Sequence, residues 1–358
     1  MAQRKKRNGK IDFLKILFAI IVVFNHSKNV VGSKNSIFLG GSFAVEFFFI
    51  VSGYLLMAGI QRLSAPPASL GLETRDFMIR KFKGFCPELI FAYIFSITVN
   101  FIARGTSLSQ LITSTFSEPL LISMTGIWSK ILNGEIWYLS SMLLCMAIMY
   151  PLLRKFGDTA LYIIIPLISL FLLGWLCGND YSPRDPTKWM GLTYKGNLRA
   201  FAEMGIGVCL YPVVEKVKKI DFTLFARCLL TVVEYTLYAL LIYYMYKYTA
   251  SKTDYFFLLV FAVALIISFS EKGIDAPLFA GRFSWWGRYS FALYLSHNYI
   301  GKNLKYFFPD LTGKQRLPIY YAGAAVTALV VMLLSDLIRK HGSKLKLKRL
   351  FVRSEIAE

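Results

Sequence analysis

Charged residues are scarce in this chain of 358 residues, since Asp, Glu, Lys and Arg together make up only 17% of it. A soluble domain typically carries about 25%. Hydrophobic residues reach 56% and the mean hydropathy is +0.50. So little polar surface cannot cover a water-soluble globule, which excludes a soluble enzyme. The aromatic content of 16% also excludes an intrinsically disordered chain.

Cysteine is rare as well, and its spacing carries no metal or disulfide motif. The five cysteines lie in or beside apolar runs, at positions Cys86, Cys145, Cys177, Cys209 and Cys228. An odd number without a CxxC motif argues against a disulfide framework and against a zinc site. We therefore expect buried free thiols and no bound metal.

Acidic residues are outnumbered by basic ones, 21 against 41, which gives a net charge of +20. In a soluble protein this excess would indicate a nucleic-acid partner. Here the basic residues flank apolar runs, where they set membrane topology and bind lipid headgroups. We therefore expect membrane lipids and no nucleic acid among the partners.

Ten apolar stretches approach the ~20 residues that cross a bilayer as a helix. They cover residues 11–31, 39–60, 87–103, 136–154, 160–177, 198–214, 224–246, 255–270, 285–300 and 318–338. This pattern predicts an all-α polytopic membrane protein with about ten transmembrane helices. The connecting segments on the same side of the membrane as the N-terminus carry more Lys and Arg than those on the opposite side. This bias predicts that both termini lie in the cytoplasm. The membrane domain then spans 11–338, between a basic N-terminus at 1–10 and a basic tail at 339–358.

Ionisable residues inside predicted spans are candidates for function, because a charge at mid-bilayer costs roughly 2.5–3.5 kcal/mol. Lys15 and His26 are eleven residues apart in the first span, so they share one helical face, ~16 Å apart along the axis. Glu46 in the second span lies at about the depth of His26, and helices joined by a short loop are usually neighbours. We expect His26 and Glu46 to form an imidazole–carboxylate pair suited to proton transfer.

Each of these residues also has a structural alternative. His26, and His297 at a similar depth in the ninth span, could satisfy backbone carbonyls or hydroxyls. Glu46 could form an ion pair with Lys15 or with an arginine. Lys15 could extend to the inner headgroups.

The segment 73–87, before the third span, is amphipathic and basic, with Arg80, Lys81 and Lys83 close to Pro87. It either lies as an interfacial helix on anionic lipid or binds the phosphates of a soluble donor.

In their order along the chain, these motifs resemble the acyltransferase-3 family of integral membrane O-acyltransferases. Five segments carry the resemblance: Lys15 with His26, the second-span pattern from Gly40 through Glu46 to Gly53, the basic cluster 80–87, the triplet Trp137-Tyr138-Leu139, and the late motif from Gly287 to His297. Gly84 departs from the pattern, since the family often has a third arginine there.

The resemblance implies transfer of an acyl group, usually acetyl, from cytoplasmic acyl-CoA to a hydroxyl of a cell-surface or secreted glycan. Acetyl-CoA is then a co-substrate, with no bound cofactor, and the protein lies in the cell membrane. The implied catalytic residues are His26 and Glu46. The implied substrate-binding residues are Lys15, Arg80, Lys81, Lys83, Ser52, Tyr54 and His297.

Many relatives carry an esterase-like domain after the last span, whereas this chain ends about twenty residues beyond it. We therefore expect the stand-alone form, which transfers the acyl group directly or passes it to a separate partner among the proteins of polysaccharide synthesis.

Two other functions fit parts of the pattern. A transporter or flippase would move acyl groups or a glycan-related substrate, because ten helices with buried charges also suit a substrate pathway. No matching pair of Gly/Pro-broken helices supports it. A different class of membrane acyltransferase uses a late His-Asn pair, which His297-Asn298 resembles, but the spacing of Lys15 and His26 favours the first interpretation.

Overall fold

The computed structural model describes residues 8–32, 37–63, 66–127, 132–180 and 182–355, with the backbone alone from 342 onward. These residues form thirteen α-helices: α1 Gly9–His26, α2 Lys28–Val31, α3 Ala44–Ile60, α4 Leu70–Arg104, α5 Leu108–Thr115, α6 Ile136–Thr159, α7 Ile165–Asn179, α8 Lys195–Lys218, α9 Leu224–Lys247, α10 Thr253–Ser270, α11 Ala276–Phe279, α12 Ser284–Phe307 and α13 Gly313–Glu355. Within the described ranges there is no strand, only an isolated bridge between Trp189 and Tyr194. The all-α prediction is confirmed.

Seven helical stretches in the described part of the chain are long and apolar enough to cross a membrane. They are Gly9–Val31, Gly41–Ile60, Leu70–Arg104, Ile136–Asn179, Leu224–Lys247, Thr253–Ser270 and Gly313–His341. The predicted spans 136–154 and 160–177 both fall in one of these stretches, and its helix breaks at Gly157 (φ 49°, ψ −121°). The predicted spans 198–214 and 285–300 fall on α8 and α12, whose charged and polar residues make them less apolar. The protein is thus a multi-pass membrane protein, and the count of ten stays a prediction.

Helices α3 and α8 pack with their backbones in direct contact, because a glycine on each helix faces the backbone of the other. A Cβ on Gly53 would lie 1.9 Å from the carbonyl oxygen of Met204, and one on Gly207 would lie 2.0 Å from that of Ile50. Small residues allow such close approach between helices in a membrane, where dispersion contacts supply much of the packing energy.

Helix α1 is fixed at both ends by polar contacts. At its start, the buried ammonium of Lys10 lies 2.8 Å from carboxylate oxygens of both Glu234 and Asp275. Towards its end, the hydroxyl of Tyr320 in α13 donates to the carbonyl of Val23 at 3.0 Å. Helix α12 packs against α1, α4 and α13. This packing brings the late His motif next to the end of α1.

Helix α4 continues through Pro87, although the sequence predicted an interfacial segment followed by a separate span. Proline removes one helical N–H and weakens the ladder around it. The carbonyl that Pro87 leaves without its helical donor is that of Lys83. Arg339 of α13 binds one residue further on, donating to the Gly84 carbonyl at 3.0 Å and to both carboxylate oxygens of Glu88. The last long helix therefore supports α4 at its proline.

Candidate active site

His26, the last residue of α1, is hydrogen-bonded to Glu135, which precedes the first residue of α6. The Nε2 of His26 lies 3.1 Å from Oε1 of Glu135. The same carboxylate oxygen accepts from the side-chain amide of Asn298 at 2.7 Å. The Glu135 side chain is only 5% exposed. A buried carboxylate thus holds the imidazole in one orientation, since its own position is fixed by Asn298.

His297 lies beside His26, with the two ring centroids 5.0 Å apart. Its Nδ1 is 3.1 Å from the carbonyl of Leu293, one turn earlier in α12. A carbonyl can only accept, so Nδ1 carries the hydrogen and Nε2 has a free lone pair. Among the described residues, neither Nε2 of His297 nor Nδ1 of His26 has a hydrogen-bond partner, and both atoms are buried. The site thus holds two imidazole nitrogens available to a substrate.

The predicted pairing of His26 with Glu46 is wrong. Both carboxylate oxygens of Glu46 accept from the guanidinium of Arg199 in α8, and Arg199 also lies 3.0 Å from Glu203. All three side chains are buried. The alternative of an ion pair with an arginine is therefore the one observed, because the close packing of α8 on α3 places Arg199 beside Glu46.

Glu135 was missed because it lies outside the predicted spans, in a polar loop where an acidic residue is unremarkable. The available signal was its position two residues before Trp137, at the start of a family-like segment. Counting residues from the end of a predicted span estimates the membrane depth of residues inside that span. It says nothing about a loop residue such as Glu135.

A cavity of about 410 Å³ lies between α1, α3, α4, α6, α12 and α13. Four cations line it, and we call it the basic cavity: Lys15, Lys81, Arg288 and Arg339. Tyr138 and Tyr294 also line it. The ring of Tyr294 is 6.1 Å from that of His297, centroid to centroid. On α12 the lining ends at Tyr294, one helical turn before His297.

The predicted substrate-binding residues divide into two groups. Lys15, Lys81 and Ser52 line the basic cavity, whereas Arg80 and Lys83, on the same helix as Lys81, are outside its lining. Ser52 shares a 3.0 Å hydrogen bond with the hydroxyl of Tyr138.

Tyr54 points elsewhere. Its ring stacks on Phe269 of α10 at 3.7 Å between centroids, and its hydroxyl accepts from Lys218. Tyr54 therefore does not lie with the other predicted substrate-binding residues. It is two residues beyond Ser52, and residues two apart in an α-helix point to nearly opposite sides.

Two arginines of the basic cavity were not singled out in the sequence. Arg288 belongs to the late motif that ends at His297, which was a usable signal. Arg339 lies in the predicted basic tail, yet its guanidinium donates to the Gly84 carbonyl. An arginine from α13 is thus hydrogen-bonded to the backbone of the residue that stands where the family often has a third arginine, just before the third span.

Three groups at the site could also serve as metal ligands. His26, Glu135 and His297 each offer one ligand atom, and these atoms lie within 4.8 Å of one another. Two imidazoles and a carboxylate form a set that zinc accepts. However, Lys28 and Lys302 lie within electrostatic range of His26 and Glu135, and ammonium groups oppose a divalent cation. The set fits proton transfer better than metal binding.

Comparison with curated proteins gave no match, and comparison with solved structures gave none either. The family model described as an acyltransferase domain matches residues 8–336. This range includes His26, Glu135 and His297, and all of the basic cavity except Arg339. The resemblance noted in the sequence is thereby confirmed, and the chain belongs to the acyltransferase-3 family.

Proposed function

We propose that the protein is a membrane O-acyltransferase that moves an acetyl group from cytoplasmic acetyl-CoA to a hydroxyl of a cell-surface or secreted glycan. Family membership supports acyl transfer, and the donor, the acetyl group and the acceptor are our proposal. The observation that carries it is the His26–Glu135 pair, which lies beside His297, itself one turn beyond the last α12 residue that lines the basic cavity.

The donor would enter through the basic cavity. The phosphates of CoA suit the guanidinium groups of Arg288 and Arg339 and the ammonium groups of Lys15 and Lys81, because charge-assisted hydrogen bonds to phosphate are strong. The pantetheine arm is long and thin. It can follow the stripe from Lys15 to His26, which is ~16 Å along the helix axis, and deliver the thioester to the histidines.

His26 then acts as the general base. Its free Nδ1 takes the proton of the acceptor hydroxyl while the hydroxyl oxygen attacks the thioester carbonyl. The carbon–sulfur bond breaks, and the departing CoA sulfur takes the proton from the imidazolium. Glu135 accepts the Nε2–H of His26 throughout and stabilises the positive charge on the ring.

The test uses purified protein in lipid nanodiscs, with acetyl-CoA and glycans from the producing cell. His26→Ala should lower acetyl transfer by about 10²–10⁴-fold, the usual contribution of a positioned base. Glu135→Gln should lower it to a similar extent, because glutamine cannot balance the imidazolium charge. His341→Ala, which removes an exposed histidine of α13, is the matched control.

Thermal melting of each variant shows whether it is folded. Full acetyl transfer by folded His26→Ala would eliminate the mechanism. The protein would instead be the transporter considered above if it consumed no acetyl-CoA under any condition but moved acyl groups or a glycan across vesicle membranes.

A further inference from the structure

Two lysines flank the His26–Glu135 pair on the side away from the basic cavity. Lys28 lies in α2, two residues beyond His26, and its side chain donates to the neutral amide of Asn25 at 3.3 Å. Lys302 lies one turn beyond Asn298 in α12. Its Nζ is 3.4 Å from the point that a Cβ on Gly134 would occupy, next to Glu135.

Neither lysine forms an ion pair with another described residue. Lys28 lies within electrostatic range of Glu135, and Lys302 lies within range of both Glu135 and Glu118. Glu135 is already engaged by His26 and Asn298. Glu118 is buried, and burial raises its pKa to about 8 even though it accepts two backbone N–H bonds. Glu118 is thus largely neutral at pH 7, so positive charge is in excess around the site.

Neutral amides complete this surface. The side chain of Asn29 donates to Asn298 at 3.0 Å, and Asn298 in turn donates to Glu135. Amide groups suit the hydroxyls of a sugar, whereas ammonium groups suit an anionic oxygen. The cations of the basic cavity are a separate set, so Lys28 and Lys302 are not needed for CoA phosphates.

Building on the proposed function, we propose that the acceptor is an anionic glycan. Its carboxylate or phosphate group binds between Lys28 and Lys302, and a hydroxyl of the same or the adjacent unit then meets Nδ1 of His26. Acidic sugars and phosphodiester-linked polymers both present this chemistry.

Mass spectrometry of surface glycans from cells with and without the chain tests the acceptor class. In cells that lack the chain, we expect the acetyl group to be missing from a repeating unit that carries a carboxylate or a phosphate. Loss of acetyl from a neutral glycan would overturn the inference and leave the acyltransferase proposal standing. Unchanged acetylation in every glycan would overturn the acyltransferase proposal, and this inference with it.

Variants test the two lysines in nanodiscs with three acceptor probes: a hexuronate oligosaccharide, a glycerol-phosphate oligomer and the carboxyl-reduced form of the hexuronate. Lys302→Gln and Lys28→Gln should each raise the KM for an anionic probe by about tenfold, the usual worth of one charge-assisted hydrogen bond. The KM for acetyl-CoA should not change. Lys252→Gln, an exposed lysine at the N-cap of α10, is the control.

The identity of the charged group follows from which anionic probe is preferred, the hexuronate or the glycerol phosphate. Added salt should raise the KM for that probe and leave the carboxyl-reduced probe unaffected, because salt screens exposed charges. Equal use of charged and neutral probes, with no effect of either lysine substitution, would refute the inference.

Discussion

At the scale of single residues, the partner of each buried carboxylate indicates whether that carboxylate serves the proposed reaction or the stability of the fold. Glu135 faces an imidazole that can change its charge, whereas Glu46 faces the guanidinium of Arg199, which stays charged at any accessible pH. A carboxylate bound to a permanent cation has little to contribute to a proton transfer. Glu46, which the resemblance marked as catalytic, is therefore better explained as a structural residue that holds α8 against α3.

This difference predicts a stability effect. Glu46→Ala should destabilise the protein by roughly 3–5 kcal/mol, because it leaves Arg199 buried with a single carboxylate partner. Glu215→Ala should change stability by less than about 1 kcal/mol, since its pair with Lys218 is partly exposed. Melting temperatures in detergent give the comparison. A Glu46→Ala variant with normal melting and no acyl transfer would instead support a catalytic Glu46.

Glu118, in the loop before α6, makes the stability of the folded protein depend on pH. Its folded pKa of about 8 lies above the ordinary value of 4.5, because burial disfavours the carboxylate. The folded state therefore binds the extra proton, and this contribution to stability is complete below pH 4.5 and is lost as the pH rises through 8. Glu118→Gln should melt at the same temperature at low pH and above wild type at pH 9. A constant difference across that range would contradict the raised pKa.

At the scale of elements, the contact between α3 and α8 sets the position of Arg199 and, through α3, one wall of the basic cavity. The contact depends on glycine, because any side chain at Gly53 or Gly207 would meet the backbone of the other helix. Hydropathy could predict both helices, although α8 carries several charges. It could not predict that these two helices are neighbours, since they are far apart in the sequence.

Alanine substitution tests this interface. Gly53→Ala should cost about 1–3 kcal/mol or more, because overpacking forces the backbone of α8 to move. Gly59→Ala, in the same helix with open space around it, should be neutral or slightly stabilising, since alanine is the better helix former. Melting of the two purified variants makes the comparison. Equal melting temperatures would mean that α3 and α8 are not in backbone contact.

At the scale of the whole molecule, charge bias predicts the orientation in the membrane. Asp221 and Lys252 lie just beyond opposite ends of α9 and are both exposed. If the N-terminus is cytoplasmic, Lys252→Cys in a cysteine-free background should react with an impermeant thiol reagent in intact cells. Asp221→Cys should react only after the membrane is opened. The reverse pattern would invert the predicted topology.

Much of the architecture and half of the proposed site can be read from the sequence, for identifiable reasons. Apolar runs locate the helices, and the eleven-residue spacing in α1 finds Lys15 and His26. The family-like motifs add His297. Two contacts depend on which distant helices are neighbours: the pairing of His26 with Glu135 and the hydrogen bond from Arg339 to the Gly84 carbonyl. No local sequence pattern encodes such neighbours.

The ion pairs around the basic cavity have a consequence for turnover. Arg288 is bound to Asp336, Arg339 to Glu88 and Lys15 to Asp12 before any ligand arrives. In the proposed reaction the phosphates of CoA would compete with these internal carboxylates for the same cations, so the loss of the ion pairs would offset part of the binding free energy. Re-forming the pairs would then favour release of the CoA product.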